Sequence, residues 1–257
     1  MNSPFIDFFG YSDIGPVRSN NEDTWVCLPE HNFYALADGM GGHLAGEVAA
    51  KETTDHLCDL ASHFLHSEKK VSLPLIISKL RFSIQKVNTR VYELGQAYPQ
   101  FRGMGTTLCC LYFYSNTAIY AHIGDSRIYH FRQKLFQLTE DHSLLNKLLA
   151  DKETTNQKVL KSCKNVITKA IGTTSYVDPE ISHLTIEPKD LFLLCSDGLS
   201  DYVPGTEITD ILQASASIQE KGKNLINRAK EKGSRDNMTV ILLEVKGFDD
   251  NKKNILR

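Results

Sequence analysis

The pattern of apolar and polar positions changes its period several times along the chain, and each change predicts an element. Phe5 to Tyr11 and Thr24 to Leu28 are short β-rich runs on either side of a polar loop, Ser12 to Asp23. Phe33 to Ala37 is a continuous apolar run that enters Asp38, followed by Gly39, Gly41, Gly42 and His43. Such a run reads as a buried strand delivering an acid to a site, where glycine lets the backbone and its carbonyl come close to a ligand. The same letters fit a strand-to-helix connection with a capping aspartate, and the stretch alone leaves both readings open.

Helical spacing follows. Leu57, Leu60, Ala61 and Phe64 keep the i, i+3, i+4, i+7 spacing of one helical face. Ile76, Leu80, Ile84, Val87, Val91 and Leu94 do the same at three and four, with Pro74 in the first turn. The polar segment Ser67 to Ser72 would join the two as a helical hairpin. The period then returns to strands. Thr106 to Tyr114, Thr117 to Ile123, Ser126 to Phe131 and Leu135 to Leu138 predict an antiparallel meander with short turns. Asp141 to Lys164 is polar, lysine-rich and weakly helical, an excursion from the core. Val177 to Glu187, Asp190 to Cys195 and Met238 to Val245 are further strands, with short helices at Glu207 to Ala214 and Ile218 to Lys232. Strands mixed with paired helices, without regular β-α alternation, predict an α+β layered fold. It is expected to form one domain over residues 1–246, with a polar tail at 247–257.

Composition narrows the partners. A formal net charge of −2 gives no electrostatic ground for nucleic acid or an anionic membrane. No segment approaches the roughly 18 consecutive apolar residues of a membrane span. The N-terminal stretch lacks the basic region and apolar core of a secretory signal. The six cysteines show no CxxC pair, so they are expected to be reduced core residues of a cytoplasmic protein.

Asp23, Asp38, Asp125, Asp197, Asp201 and Asp236 stand at the ends of β-rich runs or in tight turns, where a sheet core can aim them at one point. Any one of them is an ordinary turn former. If they converge, their repulsion needs protons or cations, and an all-oxygen set suits Mg²⁺ or Mn²⁺ over zinc. Two such ions can activate a water for in-line attack on phosphorus, and Arg18 offers a planar fork for phosphate oxygens. A cysteine-dependent phosphatase would need Cys-x5-Arg, but the sixth residue after each cysteine is Phe33, Phe64, Ser115, Asn116, Lys169 or Asp201. Gly41 to Gly46 has P-loop glycine spacing, yet Glu47 and Val48 follow instead of Lys and Ser or Thr.

In order along the chain, RSNNED (18–23), DGMGGH (38–43), GTT (105–107), GDSR (124–127), SDGL (196–199) and DN (236–237) resemble the metal-dependent PPM protein phosphatases, the type 2C serine/threonine enzymes. The likeness is greatest to their compact bacterial members and spans nearly the whole chain. It implies a four-layer α-β-β-α sandwich with two antiparallel sheets and a metal cleft at one end. It implies that Asp38, Asp197 and Asp236 ligate one Mn²⁺ or Mg²⁺ ion. Asp38 would bridge to a second ion, which also takes the Gly39 carbonyl. Glu22 and Asp23 match acids near that second ion, and Asp125 and Asp201 match ligands of a third, weaker one. Arg18 matches the phosphate-binding arginine, and His43 a histidine considered a general acid for the leaving oxygen. Residues 141–166 resemble the family's flap, without the arginine pair common at its end. The implied activity is hydrolysis of phosphoserine and phosphothreonine in proteins by a metal-bridging hydroxide, by a monomer opposing serine/threonine kinases or acting on the kinases themselves. A phosphoprotein-binding module of the same fold without turnover is the alternative, and the presence of every core aspartate argues against it.

Overall fold

The structure, a computed structural model, describes residues 3–41, 45–65, 71–150, 163 and 166–248. His43, most of the Ser67–Ser72 connection, most of the flap and residues 249–257 of the expected tail lie outside the described residues, while Gly247 and Phe248, expected to begin that tail, belong to the last strand.

Two antiparallel sheets face each other. One runs β1 (Pro4–Asp13), β11 (Met238–Phe248), β10 (Leu191–Cys195), β7 (Arg127–Arg132) and β8 (Lys134–Gln137), in that order. The other runs β2 (Asp23–Leu28), β3 (Phe33–Met40), β5 (Leu108–Tyr114), β6 (Thr117–Ile123) and β9 (Glu180–Thr185), with the short β4 (Gly105–Thr106) paired to the end of β3. The central strands are apolar on both faces because both faces are covered. Tyr34 and Leu36 of β3, Phe113 of β5, Phe192 and Leu194 of β10 and Ile241 and Leu243 of β11 fill the space between the sheets. Their neighbours Phe33, Ala35, Leu108 and Cys110 turn outward to α1 (Ala45–Leu65) and α2 (Leu73–Ala97). Short helices α3 (Leu144–Ala150) and α4 (Asp197–Ser200) follow in the chain. Leu193, Val240 and Leu242 turn outward to α5 (Gly205–Gln213) and α6 (Ile218–Glu231), completing the four layers. Among the described residues no helix is long and apolar enough to cross a membrane.

Three sequence expectations change. The predicted meander breaks at Gly124–Asp125, because β6 and β7 belong to different sheets and do not pair. The chain crosses the sandwich there, and the crossing turn carries an acid. The run Thr106 to Tyr114 is split at Thr107, whose hydroxyl accepts the Asp38 amide at 3.0 Å, leaving β4 on the end of β3 and β5 on its first half. Val177 to Glu187 yields only the six residues of β9, which starts directly after Pro179, a residue with no amide for the ladder.

Candidate active site

The acids meet because strand ends meet. At one end of the sandwich β3 finishes on Asp38–Met40 and β2 begins with Asp23, directly opposite Asp38 in the ladder. From the other sheet, β10 stops two residues before Asp197 and β11 starts two residues after Asp236. Asp125 lies in the crossing between them. These ends surround a cleft of about 550 Å³, lined by the carboxylates of Glu22, Asp38, Asp125, Asp197 and Asp236, by Gly39, and by Arg18. Met40, Val166 and Ile167 form an apolar part of its wall.

Beneath the cleft a polar layer holds the acids in place. Asp23 is 7 % exposed, and its Oδ2 accepts hydrogen bonds from Ser196 Oγ and Thr239 Oγ1, both at 2.7 Å. Thr239 in turn is 2.7 Å from Ser12 Oγ, which accepts from the Asn21 side-chain Nδ2 at 2.8 Å. Since Thr239 donates its only hydroxyl proton to Asp23, Ser12 donates to Thr239, and the chain of bonds points one way toward the buried carboxylate. The Asn237 side chain uses its whole amide on the loop that carries Arg18 and Glu22. Its Oδ1 accepts from the Glu22 amide at 2.9 Å, and its Nδ2 donates to the carbonyls of Ile14 and Asn20 at 2.8 and 3.0 Å. On the far side of Asp38, Thr106 Oγ1 donates to its carbonyl at 2.8 Å, and Thr107 Oγ1, the acceptor of its amide, lies 2.7 Å from Ser126 Oγ. Glycine is required where β3 meets the start of α1. A Cβ on Gly39 would lie 2.2 Å from the Gly46 carbonyl, and one on Gly46 would lie 2.8 Å from Glu22 Oε2.

The electrostatics call for cations. Like charges directly opposite in a ladder are destabilising, and Asp23 faces Asp38. Burial, then the charges of Asp23, Asp197 and Asp125, push the Asp38 carboxyl well above its ordinary range. Burial and the neighbouring acids push Asp197 up to about 8, and burial with Asp141 pushes Asp125 up to about 6. Asp23 rises to about 6 through burial, against the pull of its two hydroxyl donors. Two buried carboxylate oxygens, Asp23 Oδ1 and Asp125 Oδ1, have no hydrogen-bond partner among the described residues. Orphaned buried carboxylate oxygens and mutually repelling acids, all oxygen donors, fit hard divalent ions. Arg18, half-exposed at the rim, donates to Asp236 at 2.7 Å, and that bond leads the rise of its own pKa.

The structure therefore brings Arg18, Glu22, Asp38, Gly39, Asp125, Asp197 and Asp236 together on one cleft. It places Asp23 just below it, and Asp201 at the end of α4, where its amide donates to the Asp197 carbonyl at 2.9 Å. Sequence reasoning gave no role to Ser196, Thr239 or Asn237. The available signal was position: a serine before Asp-Gly, and a threonine inside the otherwise apolar start of β11.

The fold agrees with that of solved relatives. The sequence model for protein phosphatase 2C matches residues 17–242. The chain belongs to the protein phosphatase 2C family. The phosphatase is 37% identical over 243 residues to a putative protein phosphatase 2C-type of Streptococcus pyogenes, covering 93% of this chain and 97% of that one. It is also similar to the solved serine/threonine phosphatase of S. agalactiae, with 34% identity and a TM-score of 0.85 over 94% of this chain and 100% of the other. The catalytic domain of the serine/threonine phosphatase PstP, solved in complex with two manganese ions, matches at 33% identity and a TM-score of 0.81, over 94% and 99% of the two chains.

Proposed function

We propose that this phosphatase hydrolyses phosphoserine and phosphothreonine in proteins, kinases and their substrates among them, through one catalytic domain that binds Mn²⁺ or Mg²⁺. The observation that carries the reading is the convergence of five carboxylates from both sheets on one cleft that also holds a single guanidinium among its described residues. Asp38, Asp197 and Asp236 would hold one ion. Asp38 and the Gly39 carbonyl would hold the second, with Glu22 and Asp23 beside it, and Asp125 with Asp201 would take a third. When bound, the ions supply a water-derived nucleophile at neutral pH and neutralise charge on the phosphoryl group.

The chain's own residues do the rest. Arg18 exchanges its carboxylate partner for phosphate oxygens and orients the ester in line. Asp23 stays buried and fixed by Ser196 and Thr239, keeping β2 and β11 at constant separation under the cleft. Met40, Val166 and Ile167 give the wall an apolar patch against which a substrate side chain can exclude water. His43, outside the described residues, is proposed as the proton donor to the leaving oxygen. A monomer is proposed as the working unit.

The test is hydrolysis of an aryl phosphate and a phosphothreonine peptide with Mn²⁺, then with chelator. Activity restored by metal is expected, and Asp38→Asn should abolish it while leaving the fold intact. An active Asp38→Asn protein, or hydrolysis indifferent to chelator, would refute the reading.

A further inference from the structure

Behind the Gly124–Asp125 crossing, four titratable side chains meet: His122 in β6, His142 before α3, Lys169, and Glu180 at the start of β9. The two imidazole rings stack, with centroids 4.6 Å apart and planes 6° from parallel. His122 Nε2 lies 2.9 Å from the Glu140 carbonyl, so it is the donor, and its buried Nδ1 has no partner among the described residues. His142 Nδ1 accepts the Gly124 amide at 2.9 Å, so the proton sits on Nε2, which donates to Glu180 Oε1 at 2.7 Å. Burial holds both rings below the ordinary histidine range, which agrees with these neutral tautomers.

Two histidines and a glutamate with ligand atoms within 4.8 Å suggest a metal site at first sight. The geometry argues against one. An imidazole lone pair lies in the ring plane, and two stacked, nearly parallel rings cannot aim theirs at one ion. The His142 lone pair is already used by Gly124. Lys169 Nζ also stands 3.2 Å from His142 Nε2 and 3.6 Å from Glu180 Oε1, putting an ammonium where a cation would go.

What the cluster does hold is the crossing turn. His142 grips both polar groups of Gly124, since its backbone amide donates to the Gly124 carbonyl at 2.9 Å while its ring accepts the Gly124 amide. Gly124 has φ +102°, and a Cβ there would lie 2.6 Å from Thr107 Cγ2, so the turn is a tight one between two sheets. Asp125 comes next, with a buried oxygen that has no partner among the described residues. The His142 carbonyl also accepts the Thr168 amide at 2.8 Å, beside the cleft-wall residue Ile167.

We propose that His142 is a positioning residue for the acid cleft: it sets Asp125 through both backbone groups of Gly124 and the Ile167 wall through Thr168, while Glu180 fixes the tautomer that makes this grip possible. The inference rests on Asp125 being an ion ligand, as in the proposed function. It makes His142 a determinant of the weakest ion step, reached through a neighbour's backbone.

The experiment is Mn²⁺ titration by calorimetry, alongside Mn²⁺-dependence of peptide hydrolysis, for H142A, H142N, E180A, D125N and the D125N/H142A double variant. H142A is expected to weaken the weakest Mn²⁺ step and raise the half-activating concentration roughly tenfold, the equilibrium value of one lost hydrogen bond. H142N should recover most of this, because the Asn oxygen can take the place of Nδ1 toward Gly124, and E180A should show a smaller shift of the same kind. In the D125N background H142A should change nothing further. A wild-type curve from H142A, no rescue by H142N, or an undiminished effect in D125N overturns the inference while leaving the phosphatase reading standing. Wild-type protein that binds no Mn²⁺ overturns both. Should H142A fail to fold, H142N and E180A carry the same comparison.

Discussion

Asp197→Asn should make the metal-free protein more stable, and increasingly so as pH rises. Asp197 sits in the strand-end cleft among other acids and is pushed up to about 8 in the fold, from an ordinary 3.8. The native state therefore keeps a proton that the unfolded chain has lost. Where the native state binds more protons, stability falls with rising pH. The limiting slope is about 1.4 kcal/mol per pH unit, giving a ceiling of about 4 kcal/mol between pH 5 and pH 8. Neighbouring carboxylates share the proton, so the measured slope lies below this ceiling. Asparagine removes the penalty at every pH. The assay is urea unfolding in chelator at pH 5, 6, 7 and 8, read as variant minus wild type. The difference is needed because His122 and His142, held below 6.5 by burial, act with opposite sign: their contribution grows as pH rises toward 6.5. Saturating Mn²⁺ should reverse the ranking, because wild type gains binding energy that the variant forgoes. A difference that stays flat from pH 5 to 8, or a variant less stable than wild type at pH 8 without metal, would refute the reasoning.

Three further substitutions probe the supports. Ser196→Ala strips one donor from Asp23 and should cost about 1–3 kcal/mol at pH 8. The loss should shrink below the Asp23 value of about 6, as urea melts at both ends would show. Gly46→Ala drives a methyl to 2.8 Å from Glu22 Oε2 and 2.9 Å from the Gly39 backbone carbon. Overpacking of about 1–3 kcal/mol is expected, with a higher Mn²⁺ requirement in the phosphatase assay. Arg132→Ala removes the fork that holds the fully buried Asp190 by two 2.6 Å bonds, far from the cleft. About 2 kcal/mol of stability should be lost with turnover unchanged, a value discounted because the arginine is itself a third exposed. Since Asp190 is held down to about 2, chiefly by Arg132 against its burial, this contribution is full at neutral pH and fades as pH falls from 3.8 toward 2.

Much of this was legible in the residues. Continuous apolar runs marked β3, β10 and β11 because those strands are covered on both faces, and spacing by three and four marked α2. Asp38, Asp197 and Asp236 were visible as acids at run ends. The break of the meander at Gly124 was not, because a hairpin turn and a sheet-to-sheet crossing use the same Gly-Asp-Ser chemistry. The choice between them depends on partners distant in sequence. Ser196 and Thr239 were hidden for a related reason: they meet only because β10 and β11 pair with Cys195 opposite Val240. His142 carried no periodic signal, since its role lies in one backbone turn and one ring orientation.

The acids do not belong to one leaf of the sandwich. Asp23 and Asp38 ride on one sheet, Asp197 and Asp236 at strand ends of the other. Any ion shared among them is a clasp across the seam, and neither leaf can close it alone. The acid cleft is thus also a gauge of how the leaves are seated. A substitution in the apolar seam at Phe113 or Phe192 that slides one sheet by a fraction of an ångström would open the clasp without touching a ligand, and would appear first as a metal requirement, before any loss of fold.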